Sequence, residues 1–118
     1  MSYYIAKTIT ITPQSIHYVG HDNNVDPACD RDFEEPLTWQ NLYFLVLDLL
    51  DGRIEPKQLW WQRITKEISK RYDSADLELH EDCAEDAMQF VISCYNIKLI
   101  ENKQLYPQIK LELLTMPK

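Results

Sequence analysis

Apolar and polar residues alternate from Tyr3 to Ile11, with Ile5, Ile9 and Ile11 on one face and Tyr4, Thr8 and Thr10 on the other, a pattern that predicts a β-strand. Lys7 falls among the isoleucines, so that face is not uniformly apolar. Pro13, Gln14 and Ser15 interrupt the pattern before Ile16 to Val19 resumes it, and the two runs together predict a hairpin. From Gly20 to Pro36 the period is lost among turn formers and prolines, which predicts a long loop. Loops longer than about 12 to 15 residues are uncommon in compact domains and are often functional.

The period then becomes helical. Thr38 suits an N-cap, Trp39 to Asp51 is apolar almost all round, and Gly52 stands where a left-handed stop belongs. Such a helix belongs in the middle of a domain or at an oligomer interface. Pro56 suits the first turn of a second helix running to Tyr72, with Leu59, Trp60, Ile64, Ile68 and Tyr72 on one stripe, Trp61 off its centre and basic residues opposite. A third helix is predicted from Glu81 to Asn96, burying Cys83, Ala84, Ala87, Met88, Val91, Cys94 and Tyr95. Strand patterns return at Ile97 to Glu101, where continuation of the third helix is the alternative, and at Gln108 to Leu114, where Pro107 argues for an edge or bulge. The expected fold is a single α+β domain over residues 1–118, a three-helix middle packed on a small, mainly antiparallel sheet formed by N- and C-terminal strands.

Composition supports one domain with a true core, because 118 residues at 45% hydrophobic and 26% charged are too apolar for a disordered acidic tail. The longest apolar run, Leu42 to Leu50, is broken by Asp48 and falls far short of the roughly 20 residues of a membrane span. Met1 to Lys7 lacks the basic start and long apolar stretch of a signal peptide, so a cytoplasmic location is expected. Cys29, Cys83 and Cys94 form an odd set without CxxC spacing, which fits reduced thiols.

Charge is sorted along the chain. Asp22 to Glu35 holds six carboxylates against Arg31, and Asp73 to Asp86 holds seven with no base. Between them, Arg53 to Arg71 holds six Lys or Arg against Glu55 and Glu67. The net charge of -7 arranged this way can steer a basic partner, although acidic surfaces also serve solubility.

Chemical motifs are weak by comparison. His17 and His21 near Cys29, and His80 with Cys83, offer no set of three or four ligands at metal-site spacing, and the Asp22 to Glu35 block lacks the central glycine of a calcium loop. Glu101-Asn102-Lys103 and Glu55-Pro56-Lys57 match only part of a metal-dependent nuclease pattern, in which two acids hold magnesium and a lysine positions water. Cys29 is flanked by Asp26, Asp30 and Asp32, which would destabilise its thiolate. With only Gly20 and Gly52, there is no glycine-rich loop to cradle a phosphate. The basic stripe of the second helix is diluted by Gln58, Gln62 and Glu67 and reads as a solvated face.

The expectation is therefore a small, non-enzymatic acidic protein without cofactor or metal. It would inhibit a basic protein partner, such as a nuclease or nucleic-acid-binding protein, and would itself touch neither nucleic acid nor membrane. Immunity proteins that neutralise toxins, antitoxins and phage-encoded inhibitors of defence nucleases (anti-CRISPR proteins among them) follow this logic of nucleic-acid mimicry. The expected partner-binding residues are Asp22, Asp26, Asp30, Asp32, Phe33, Glu34 and Glu35 in the first block and Asp73, Asp76, Glu78, Glu81, Asp82, Glu85 and Asp86 in the second, with Tyr18, Phe33 and Tyr72 as apolar anchors. The alternatives are an assembly subunit forming a homo-oligomer, a homodimer among the options, through the apolar first helix and the Trp60-Trp61 pair, and a divergent metal-dependent hydrolase.

Overall fold

The computed structural model describes residues 3–24, 30–102 and 109. Its elements run β1 (Tyr4–Ile11), β2 (Ser15–Asp22), β3 (Phe33–Pro36), α1 (Trp39–Asp51), β4 (Ile54–Pro56), α2 (Leu59–Ser69), α3 (Ser74–Leu79) and α4 (Glu81–Glu101). The fold is α+β, as expected. The sheet order is β3-β2-β1-β4, with β1 antiparallel to β2, β2 antiparallel to β3, and β4 parallel to β1.

The predicted hairpin is present, closed by Thr12, whose backbone N–H donates to the Ser15 carbonyl and whose hydroxyl oxygen accepts from the Gln14 and Ser15 amides. The expected faces of β1 need correction. Ala6 pairs with Gly20 and Thr8 with Val19, which leaves Lys7 as the extra residue of a β-bulge. The bulge reverses the alternation: Tyr4 and Ala6 are buried before it, Ile9 and Ile11 after it, and Ile5 lies off that face. Lys7 among the isoleucines was the sequence mark of this switch. Gly20 is obligatory opposite the bulge, since an added Cβ would lie 2.0 Å from the Ile5 carbonyl oxygen.

The loop expected from Gly20 to Pro36 is shorter, because β2 continues to Asp22 and Phe33–Pro36 pairs with Ser15 to Tyr18. Phe33 stacks on Tyr18 at 4.4 Å between ring centroids, and this contact seats a strand too acidic to show an apolar period. Helix α1 forms as predicted, with the Asn41 amide donating to Thr38 Oγ1 at 3.0 Å and Gly52 at φ 76°. It leads from β3 at one sheet edge to β4 at the other and touches β4, α2, α3 and α4, burying Leu42, Leu45, Val46, Leu47 and Leu49.

Pro56 ends a strand rather than opening a helix, and α2 starts at Leu59. Its buried stripe is Trp61, Ile64 and Ile68, whereas Leu59 is exposed. The second acidic block contains a short helix the sequence pattern did not reveal, α3, opened by a capping box between Asp73 and Asp76. Ile97 to Glu101 continues α4 and is not a strand, because Leu99 repeats the burial of Tyr95 one turn on. Cys83 and Cys94 are half-buried, and Ile92 is buried on α4. The predicted strand from Gln108 to Leu114 lies outside the described residues apart from Ile109, which is buried; its N–H donates to Asn96 Oδ1 at 2.9 Å and its carbonyl accepts from Asn96 Nδ2 at 2.8 Å.

One edge of β1 outruns its partner. Strand β4 reaches only Ala6, whose carbonyl accepts from the Lys57 amide at 2.8 Å. Beyond it, side chains take over. The Ile9 amide donates to Gln58 Oε1 at 2.9 Å, the Ile9 carbonyl accepts from Trp61 Nε1 at 2.9 Å, and the Ile11 amide donates to Tyr95 Oη at 3.0 Å. Backbone groups that would otherwise be orphaned thus tie β1 to α2 and α4.

Two truncations on α1 should separate core from surface. Leu49→Ala should destabilise the chain by about 2 to 5 kcal/mol in denaturant unfolding, and Phe44→Ala, on a side chain 48% exposed, by no more than about 0.5 kcal/mol.

Candidate functional site

The two acidic blocks are built differently. In the first, Asp22 pairs with Arg31 at 3.5 Å and Asp30 with Lys7 at 3.1 Å, so bases from the block itself and from the β1 bulge compensate part of its charge. Phe33 is not a free anchor: it joins Tyr4 and Tyr18 in an aromatic cluster, with the Arg31 guanidinium 5.5 Å from its ring centre. Tyr18 is buried at 2% exposure, which removes it as an anchor too. Tyr4 donates its hydroxyl proton to the Arg31 carbonyl at 2.7 Å, and burial together with the Asp32 charge pushes its pKa up to about 12. Asp32 and Glu34 are exposed, while Asp26 lies outside the described residues. Glu35 is half-buried, and burial, then the charge of Asp48, raises its carboxyl above the usual range.

The second block has no such ion pairs among the described residues, whether at Asp73, Asp76, Glu78, Glu81, Asp82, Glu85 or Asp86. Asp73 and Asp76 hold the start of α3, each carboxylate accepting from the other residue's amide at 2.8 and 3.0 Å. Asp86 accepts from the Tyr72 hydroxyl at 2.9 Å, which ties up the third expected anchor. Glu81 and Asp82 occupy the first turn of α4, where the helix dipole favours them. Glu78, Glu81, Asp82 and Glu85 are exposed, and Leu79 stands among them at 76% exposure.

The sequence pattern did not reveal the ion pairs at the end of α1. Arg53, just after the α1 stop, bonds Asp51 at 2.6 Å and reaches Asp48 at 3.6 Å. Hydrogen bonding, first from Ser74 and then from Arg53, holds the Asp51 carboxyl below its ordinary value. Burial raises the Asp48 carboxyl even though Arg53 pulls the other way. Arg53 also feels Glu78, and Tyr43 of α1 donates to the Leu77 carbonyl at 3.2 Å. Acids three apart on a helix, then an arginine past its glycine stop, were the available signal.

Among the described residues, no group of three or more His, Cys, Asp or Glu is placed to hold a metal ion. The nuclease-like Glu101 lies in α4, not at a strand end. Burial pushes the Cys94 thiol up, away from the reactive thiolate. Trp61, half of the expected oligomer contact, is buried inside the chain, as are Leu42, Leu45, Val46, Leu47 and Leu49 of α1. Among the described residues no helix is long and apolar enough to cross a membrane. Comparison with protein-family models, curated proteins and solved structures finds no match.

The raised Glu35 carboxyl carries a stability consequence. The folded chain keeps this proton to higher pH than the unfolded chain, so the contribution is full below the ordinary value of 4.5 and is lost as pH rises through the raised value. Glu35→Gln should therefore lessen the fall in thermal midpoint between about pH 4 and 7 and leave the variant relatively more stable at neutral pH. Parallel pH profiles of the two proteins check this.

Proposed function

We propose that the chain is a non-enzymatic binding protein that inhibits a basic partner, one that handles nucleic acid, by occupying the partner's cationic surface with α3 and the first half of α4. The observation that supports this reading is the run of seven carboxylates with no ion pair among the described residues, centred on the exposed Leu79. Uncompensated charge raises the rate of encounter, and Leu79 offers apolar surface to bury once the partner has docked. The first block takes a lesser part, because Asp22 and Asp30 already have counter-ions and Phe33 packs inward. Asp32 and Glu34 remain available to extend the field.

The test needs a partner isolated from the native host and the purified pair. Replacing Glu78, Asp82 and Glu85 by Gln or Asn should slow association about tenfold at low salt and flatten its salt dependence, with the fold retained. Leu79→Ala should speed dissociation instead. Replacing Asp32 and Glu34 should have a smaller effect, and Arg63→Gln with Lys66→Gln smaller still. A partner whose binding survives the α3–α4 variants but fails with the Arg63 and Lys66 pair would reverse the sign of the proposal.

A further inference from the structure

A cleft of about 250 Å³ opens between the end of β1 and the last turns of α4, bordered by apolar Ile11, Pro13 and Leu99 and by polar Tyr95, Lys98 and Asn102. The Lys98 ammonium has no carboxylate partner among the described residues and lies 4.7 Å from the Trp60 ring centre and 5.5 Å from that of Tyr95. Aromatic faces hold a cation without supplying it a hydrogen-bond acceptor. Burial lowers the pKa of Lys98, as fits an ammonium lacking a counter-charge. Tyr95 is 4% exposed, and its hydroxyl oxygen accepts from the Ile11 amide while its proton meets no acceptor among the described residues. Burial raises the phenol's pKa, so it remains a donor. Two donor-bearing side chains, one of them charged, therefore line a small cleft whose border mixes Ile11, Pro13 and Leu99 with the polar Thr10 and Thr12. Its volume is below the roughly 300 Å³ at which drug-sized sites begin.

We propose that this cleft binds the carboxylate of a short-chain organic acid, with Lys98 and Tyr95 donating to the head group and Ile11, Pro13 and Leu99 bordering the tail. The competing role for Lys98 is to offset the carbonyl end of α4, in whose last turn it stands.

Titration of the ¹⁵N-labelled 118-residue chain with sodium butyrate at constant ionic strength separates the two. Saturable shifts are expected at the amides of Thr10, Ile11 and Asn102, with a shared dissociation constant. Lys98→Met should weaken binding at least tenfold, while Lys98→Arg, which keeps a cationic donor, should retain part of it. Two arms need no variant: inorganic phosphate, an oxyanion without a tail, should bind at least tenfold more weakly than butyrate, and butylamine should not saturate. Shifts that do not saturate, equal binding by Lys98→Met, or butylamine or phosphate binding as well as butyrate would overturn the proposal and leave Lys98 as a helix-end cation.

Discussion

A backbone edge left open by a short strand sets the layout of this molecule. Three β1 groups, the amides of Ile9 and Ile11 and the Ile9 carbonyl, lie past the reach of β4; the bonds of the Ile11 amide and the Ile9 carbonyl are buried and that of the Ile9 amide part-buried. A buried polar group without a partner costs about 1 to 3 kcal/mol. Gln58, Trp61 and Tyr95 supply the partners, and each comes from a different point of the helical layer: the residue before α2, its first turn, and the middle of α4. That requirement fixes where α2 and α4 sit relative to the sheet, and α1 fills the space they enclose. The contact between Tyr95 and the Ile11 amide also borders the cleft at the end of β1.

The layout also separates charge that the sequence presents as two similar blocks. Strand β3 draws the first block onto the sheet, where Phe33 stacks, Glu35 is half-buried, and Asp22 and Asp30 find bases. The second block stays on α3 and α4, where the Tyr43 hydroxyl of α1 holds α3 by donating to the Leu77 carbonyl. Its carboxylates face water without counter-ions among the described residues, and this asymmetry is the reason for placing partner binding there.

Local signals carried much of the fold. Thr38 and Gly52 bracketed α1 because capping chemistry acts on neighbouring residues, and the hairpin followed from alternation and a Pro13 turn. What failed depended on distant partners. β3 has no apolar period of its own and exists because Tyr18 offers Phe33 a face. Trp61, set off the stripe by helical spacing, is buried because it must reach the Ile9 carbonyl. The parity reversal in β1 follows from one extra residue opposite Gly20, and the end of α4 ran on because Leu99 packs where a strand was expected. At the candidate site the sign of the charge was legible, while the pairing that distinguishes the blocks was not, because Lys7, the partner of Asp30, lies outside the first block in sequence.

Native-state hydrogen exchange at the Ile9 and Ile11 amides tests the closure of β1 most directly. If Gln58 and Tyr95 close that edge, both amides exchange only through global unfolding, with the same free energy as Leu45 in α1, and Gln58→Ala lowers protection at Ile9 while sparing Ile11. Rapid exchange at Ile9 and Ile11 while Leu45 stays protected would contradict the account.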